Sequence, residues 1–227
     1  MFLCPAFAKS DEYLFDIKAN GFRYGAFSVI SSQVATNYSI TVNAQAQGLF
    51  GLVLQAKYNG RSAGMFAENG ARISTAFKAH SSRLFANRTA EVTFENGQPT
   101  IVNINPAKRR TALSDPERIP GPILDPLSFL DSVMLLPDGT CPKNQRMYDG
   151  RRITVISFEK TTIKNGVLAC QGSYEIVEGP DHSLQRGIRR FNVILRYARV
   201  DGVQWVIKSL EFTSKNYGLI LVKKLII

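Results

Sequence analysis

The sequence predicts a mainly β protein: a curled antiparallel sheet, an incomplete β-barrel or β-spiral of about 10–11 strands, wrapped around one central helix with a second short helix. Three observations predict it. Eight Asn-Gly or Asp-Gly pairs punctuate the chain, at 20, 59, 69, 96, 138, 149, 165 and 201, and such pairs tolerate the positive φ of two-residue hairpin loops. The runs between them alternate, as in Tyr38, Ile40, Val42 and Ala44 against Ser39, Thr41 and Asn43. One stretch, beginning at Asp125, combines a helix-start signal with helical spacing. A sheet of this size must curl, and its inside must be filled.

Residues 1–8, MFLCPAFA, close on Ala6-Phe7-Ala8 and read as the remnant of a secretory signal with Cys4 inside it, which leaves 9–227 as a single domain. Tyr13, Phe15 and Ile17 make a first strand, turned by Asn20-Gly21, and Phe22 to Gln33 and Asn37 to Gln47 follow as long strands. Tyr24 to Ala56 holds no Asp, Glu, Lys or Arg. Its Ser, Asn, Gln and Thr recur in near alternation, which suits amphipathic strands, so no membrane span is expected. The spacing of Leu49 to Lys57 allows the second, short helix, which Gly51 weakens. Asn59-Gly60 and Asn69-Gly70 are expected to flank a strand, before strands at 71–79, 83–94 and 98–105. Pro106 to Leu124, with Lys108-Arg109-Arg110, reads as a long crossing between two halves of one sheet.

Asp125 followed by Pro126 starts the central helix: the carboxylate accepts from first-turn N–H groups, and proline's fixed φ suits the first helical position. Leu127, Leu130, Met134 and Leu135 share one face, and Pro137-Asp138-Gly139 ends it. At about ten residues such a helix must pack on something to persist. Cys141 follows in a loop, Tyr148 to Arg152 (YDGRR) reads as a strand, and Ile153 to Phe158 and Val167 to Ile176 pair across Asn165-Gly166. That hairpin brings Cys141 and Cys170 near each other, and an even cysteine count after loss of the leader fits a disulfide; the alternative is two unpaired thiols. Strands from Gln185 to Arg199, Val203 to Ser214 and Tyr217 to Ile227 complete the chain.

Lys and Arg number 28 against 18 Asp and Glu, a formal net charge of +10. This favours anionic partners, or simply a solvated basic face. Arg151 and Arg152, beside Asp149, form the candidate ligand-binding pair, because guanidinium groups grip an anionic head bidentately. Arg189 and Arg190 are further candidates. Equally, Asp149-Gly150 can form a bulge with the arginines paired across strands. His80 and His182 read as surface histidines without metal-ligand spacing, and no metal, cofactor or catalytic residue is expected: neither a serine-nucleophile elbow, a P-loop nor a zinc-protease motif is read here. Trp205, alternating with Val203 and Ile207, reads as core. The aromatic residues keep strand-core spacing instead of interleaving with Lys and Arg, which argues against nucleic acid.

Several motifs together resemble a bacterial family of exported proteins built on a domain of unknown function. They are GPILDPLSFL with Asp125, Pro126, Leu127 and Ser128; Cys141; YDGRRITVISF with Tyr148, Asp149, Gly150, Arg151 and Arg152; and CQGSY with Cys170, Gly172 and Tyr174. The resemblance implies a periplasmic protein with an incomplete, curled β-barrel, similar in fold to the lipoprotein carriers LolA and LolB and to β-spiral envelope-integrity proteins. It brings no catalytic residues. The expected function is therefore that of a non-enzymatic cell-envelope protein holding a lipid, lipoprotein or other amphipathic anionic component in a concave groove. The alternatives are an envelope-complex partner recruited by strand augmentation at an unpaired edge of the last strand, over Leu219 to Ile227, and an envelope hydrolase with an unrecognised site.

Overall fold

The computed structural model describes residues 8–48, 51, 55–84, 86–107, 115–182, 187–214 and 217–223. A first meander runs through β1 (Ala8–Ala19), β2 (Phe22–Val34), β3 (Asn37–Ala46), β4 (Lys57–Phe66), β5 (Arg72–Arg83), β6 (Ala86–Glu95) and β7 (Gln98–Asn105). A 3-10 turn (Pro116–Arg118), helix α1 (Pro126–Ser132) and the short strands β8 (Leu135–Leu136) and β9 (Gln145–Tyr148) come next. The second meander is β10 (Ile153–Lys164), β11 (Val167–Glu178), β12 (Arg190–Val200), β13 (Gln204–Ser214) and β14 (Tyr217–Lys223). All belong to one 14-stranded sheet in the order β7-β6-β5-β4-β3-β2-β1-β14-β13-β12-β11-β10-β9, with β8 beside β13. The mainly β, curled antiparallel architecture around a central helix is as expected, with more strands than the turn pairs alone suggested.

The turn chemistry explains both the successes and the misses. Asn20-Gly21, Asn96-Gly97, Asn165-Gly166 and Asp201-Gly202 have positive φ at both residues, the requirement of a two-residue type I′ hairpin. Asn59-Gly60, expected to turn the chain, instead lies inside β4, where Gly60 pairs with Val42 and Ala79. YDGRR is not a strand through Arg152: β9 stops at Tyr148 and Asp149–Arg151 is a turn. Helix α1 has seven residues instead of about ten. The backbone just beyond it is claimed by β13, with Leu136 opposite Trp205 and Ile207 N–H donating to Met134 O at 3.0 Å. Among the described residues the last strand is not an edge of the sheet, because β14 pairs with β1 over Ile220–Lys223 on one side and with β13 over Tyr217–Val222 on the other. Strand β14 joins the two meanders, and the ends of the sheet are β7 and β9. Of the second short helix only Gly48 and Gly51 are described, both helical; the leader residues 1–7, the triplet Lys108-Arg109-Arg110, Arg186 and the tail 224–227 lie outside the described residues.

Inward-facing Phe15, Val29, Val42, Phe77 and Val92 of the first meander meet Leu168, Val193, Leu195, Tyr197 and Ile207 of the second in one core. Trp205 is buried in it, as expected. Helix α1 lies against β3, β4 and β5, where the inward positions of β4 are Gly60, Ser62 and Gly64. A Cβ on Gly60 would stand 2.8 Å from Leu127 Cδ1, and one on Gly64 2.3 Å from Tyr38 Oη. Small side chains at alternate positions thus make the space the helix fills, and burying Leu127 there is worth about 1.5–3 kcal/mol. Cys141 and Cys170 are bonded, with Cα atoms 5.6 Å apart and a sequence separation of 29. Closing a loop of that size stabilises by about 3–4 kcal/mol in the chain-entropy account.

Candidate functional site

Two buried or part-buried carboxylate clusters dominate the polar interior. Asp125 caps α1 and is 0% exposed. Its Oδ1 accepts from the N–H groups of Leu127 and Ser128 at 2.9 and 3.0 Å. Its Oδ2 accepts from the hydroxyls of Ser62 (2.7 Å), Ser74 (2.7 Å) and Ser128 (2.5 Å). Tyr38 on β3 donates to Ser128 Oγ at 2.7 Å. The sequence predicted the cap; it did not predict the ring of hydroxyls that β3, β4 and β5 send to it. A second tie holds the other end of α1: Arg72 on β5 donates Nε and Nη2 to Asp131 Oδ2 at 2.8 and 2.7 Å, and its guanidinium lies over the rings of Tyr38 and Phe66.

Sequence reasoning also missed a G-x-S-x-G spacing, Gly60-Arg61-Ser62-Ala63-Gly64. A nucleophile elbow needs that serine on a sharp strand-to-helix turn beside a histidine. Here all five residues lie within β4, Ser62 is buried, and its hydroxyl donates to a carboxylate already accepting from four other donors. A carboxylate so saturated has no free lone pair with which to draw off a proton.

The second cluster sits where the sheet ends. Asp149 Oδ1 accepts from the N–H groups of Arg151 and Arg152, both at 2.8 Å, which fixes the turn after β9. Arg151 Nη2 donates to Thr89 O on β6 (3.2 Å) and Asn105 O on β7 (2.9 Å). The turn therefore clasps the far end of the sheet. Gly150 makes the approach feasible: its φ is +81°, and a Cβ there would stand 3.2 Å from Val92 Cγ2. Between the two sheet ends runs the connector before α1, with Ile123 N–H donating to Gly97 O, Leu124 N–H to Arg146 O and Tyr148 N–H to Leu124 O.

Arg152 is 9% exposed. Its Nη1 contacts His182 Nδ1 at 2.5 Å, and His182 Nε2 contacts Tyr174 Oη at 3.1 Å. An arginine only donates, so the bonding pattern assigns Nδ1 as acceptor and the proton to Nε2 of a neutral imidazole. Burial, then the neighbouring Arg152 charge, pulls the His182 pKa down to about 4. His182 is thus not the surface histidine that its isolation in sequence suggested: it stacks against Tyr174 and closes over Arg152. Arg152 Nε has no hydrogen-bond partner, and Asp149 Oδ2 stands 3.4 Å from it. Desolvation lowers the pKa of Arg151, Asp149 opposes this, and the charges of Arg88 and Arg152 lower it further.

Of the other predicted residues, Arg189 donates to Ile176 O, Gly179 O and Asp181 Oδ1, holding the loop that carries His182. Arg190 begins β12 exposed, opposite Glu175. Arg88, half-buried on β6, was not singled out in the sequence; it belongs to this cluster through Arg151. Among the described residues no three of His, Cys, Asp and Glu converge as metal ligands, and no helix is long and apolar enough to cross a membrane. A depression of about 510 Å³ opens on the polar side of β3–β6, beside Thr41, Arg61, Lys78 and Glu91.

No family model matches the chain, and no curated protein matches it. Among solved structures, the chain is similar to a crystal structure described as a β-barrel-like protein of domain of unknown function DUF1849 from Brucella abortus, at 9% identity over 94% of this chain and 95% of that one, with a TM-score of 0.49.

Proposed function

We propose that this is a non-enzymatic protein of the bacterial periplasm that binds an anionic, amphipathic component of the cell envelope, a lipid or an acylated molecule. The observation that carries the reading is the Cys141–Cys170 bridge, because such bridges form and persist outside the reducing cytoplasm. The A-x-A ending of the first eight residues and the formal charge of +10 support export and an anionic partner. So does the resemblance of the D-P-L-S, Y-D-G-R-R and C-x-G-x-Y motifs to an exported family and, through it, to the LolA and LolB carriers.

Protein recovered from its native host under thiol-blocking conditions tests both halves. The expected result is a mature chain in the periplasmic fraction, unlabelled at Cys141 and Cys170, carrying near-stoichiometric lipid detectable by mass spectrometry. Free thiols at both positions in a cytoplasmic fraction would overturn the location, and a lipid-free protein that leaves anionic vesicles unbound would overturn the ligand.

A further inference from the structure

We propose that the seam between β7 and β9 holds a seat for a phosphate group, formed by Arg88, Arg151 and Arg152 around Asp149. This rests on the anionic partner proposed above and gives it a place and a chemistry. The first ground is charge balance. Three guanidinium groups meet one carboxylate, and the Oδ1 of that carboxylate is occupied by two backbone N–H groups. His182, held neutral, adds no charge. Two positive charges are left over, and a phosphate monoester carries about −1.5 to −2 at neutral pH.

The second ground is placement. Gly150 is seated over Ala90, Val92 and Ile104. Arg88 lies two residues before Ala90 on the same face of β6, roughly 7 Å along the strand, and next to Thr89, whose carbonyl accepts from Arg151; it is near enough for its charge to act on Arg151. Among the described residues Arg88 has neither a hydrogen-bond nor an ion-pair partner. Arg152 contributes a buried Nε that, among the described residues, has no hydrogen-bond partner and meets only the Asp149 Oδ2 charge at 3.4 Å. Arginine's planar fork suits the bidentate geometry of phosphate oxygens. A single carboxylate ligand would leave one charge of the cluster unbalanced, so phosphate is the better match.

Arg88→Gln is the informative variant, since Arg88 clasps none of the described residues and its loss should leave the seam intact. Full-length protein and the variant are titrated with inorganic phosphate against chloride at matched ionic strength. Both are then sedimented with phosphatidylcholine vesicles with and without phosphatidic acid. The expected outcome is a preference for phosphate and for phosphatidic acid, weakened about tenfold in Arg88→Gln, with Arg88→Lys in between and melting temperatures unchanged. Phosphate binding that depends on Arg88 without vesicle binding supports the seat and points to a soluble phosphate compound, overturning the lipid reading alone. Vesicle binding indifferent to Arg88→Gln overturns the seat and leaves the lipid reading standing. Absence of binding to either probe overturns the seat.

Discussion

Asp125 and Asp149 begin alike and end differently. Each accepts on Oδ1 from the N–H groups two and three residues ahead, at 2.9 and 3.0 Å for Asp125 and at 2.8 Å twice for Asp149. That shared arrangement sets the local backbone: it opens a helix at Pro126 and a tight turn at Gly150. The contrast lies at Oδ2. Around Asp125 three neutral hydroxyls converge on it, so the charge is neutralised by dipoles and nothing remains to recruit. Around Asp149 the neighbours are cations, and they outnumber it. One motif thus serves as a fastener where its second oxygen meets hydroxyls, and as a charged site where that oxygen faces a guanidinium group.

The largest expected effect comes from breaking the fastener. Asp125→Ala leaves three buried hydroxyls and two helix N–H groups without their acceptor, and about 3–5 kcal/mol of stability should be lost, read as a lower urea midpoint. Asp125→Asn, which keeps Oδ1, should lose less. A loss under about 1 kcal/mol for the alanine variant would mean the two clusters are not different in kind.

The next effect is a pH dependence that only the charged cluster should show. His182 has its folded-state pKa depressed from 6.5 to about 4, so between those values the unfolded chain binds more protons than the folded one. Stability is therefore fully present above the unfolded pKa and falls as pH drops toward 4, by on the order of 3 kcal/mol. In His182→Gln, whose amide oxygen can still accept from Arg152, that part of the slope should vanish. An unchanged slope would place the neutral imidazole elsewhere. Smaller again is Asp149→Asn, which keeps the turn acceptor but removes the single negative charge. About 1–2 kcal/mol should go, with recovery on addition of phosphate if the cluster takes that anion.

How much of this was legible follows from the range of each cause. Asp125-Pro126 and four Asn-Gly or Asp-Gly turns act within a few residues, so their chemistry is written locally. Ser62 and Ser74 reach Asp125, and Tyr38 reaches Ser128, only because β3, β4 and β5 are neighbours in register, and nothing within four residues of any of them announces it. The nearest signal was the alternation Gly60, Ser62, Gly64, which marks the inward face of a strand making room for something. Asn59-Gly60 misled for the same reason: its glycine answers to Leu127, 67 positions away in the chain, and not to a turn. The edge expected at the last strand failed because closing one meander on the other requires β1 to find β14. His182 looked isolated since Arg152 and Tyr174 approach it only across the sheet. The arginines of YDGRR were marked in the sequence as candidates, but that one of them grips backbone carbonyls on two strands at the opposite end of the sheet depends on how far the sheet curls.

The smallest effect is also the sharpest separation of the two clusters. Arg151→Gln removes the donor to Thr89 O and Asn105 O while leaving the N–H on Asp149. Because that side chain is part exposed, solvent replaces much of what is lost, and stability should fall by only about 1 kcal/mol. Hydrogen exchange resolves where it falls. The amides of Ile123 and Tyr148, which bond across the connector, should exchange about fivefold faster as the seam opens locally. The amides of Leu127 and Ser128, held by Asp125, should not change. Equal acceleration at both places would show that the seam and the helix cap open as one cooperative unit, and the distinction between a finished fastener and an unfinished site would then have no dynamic meaning.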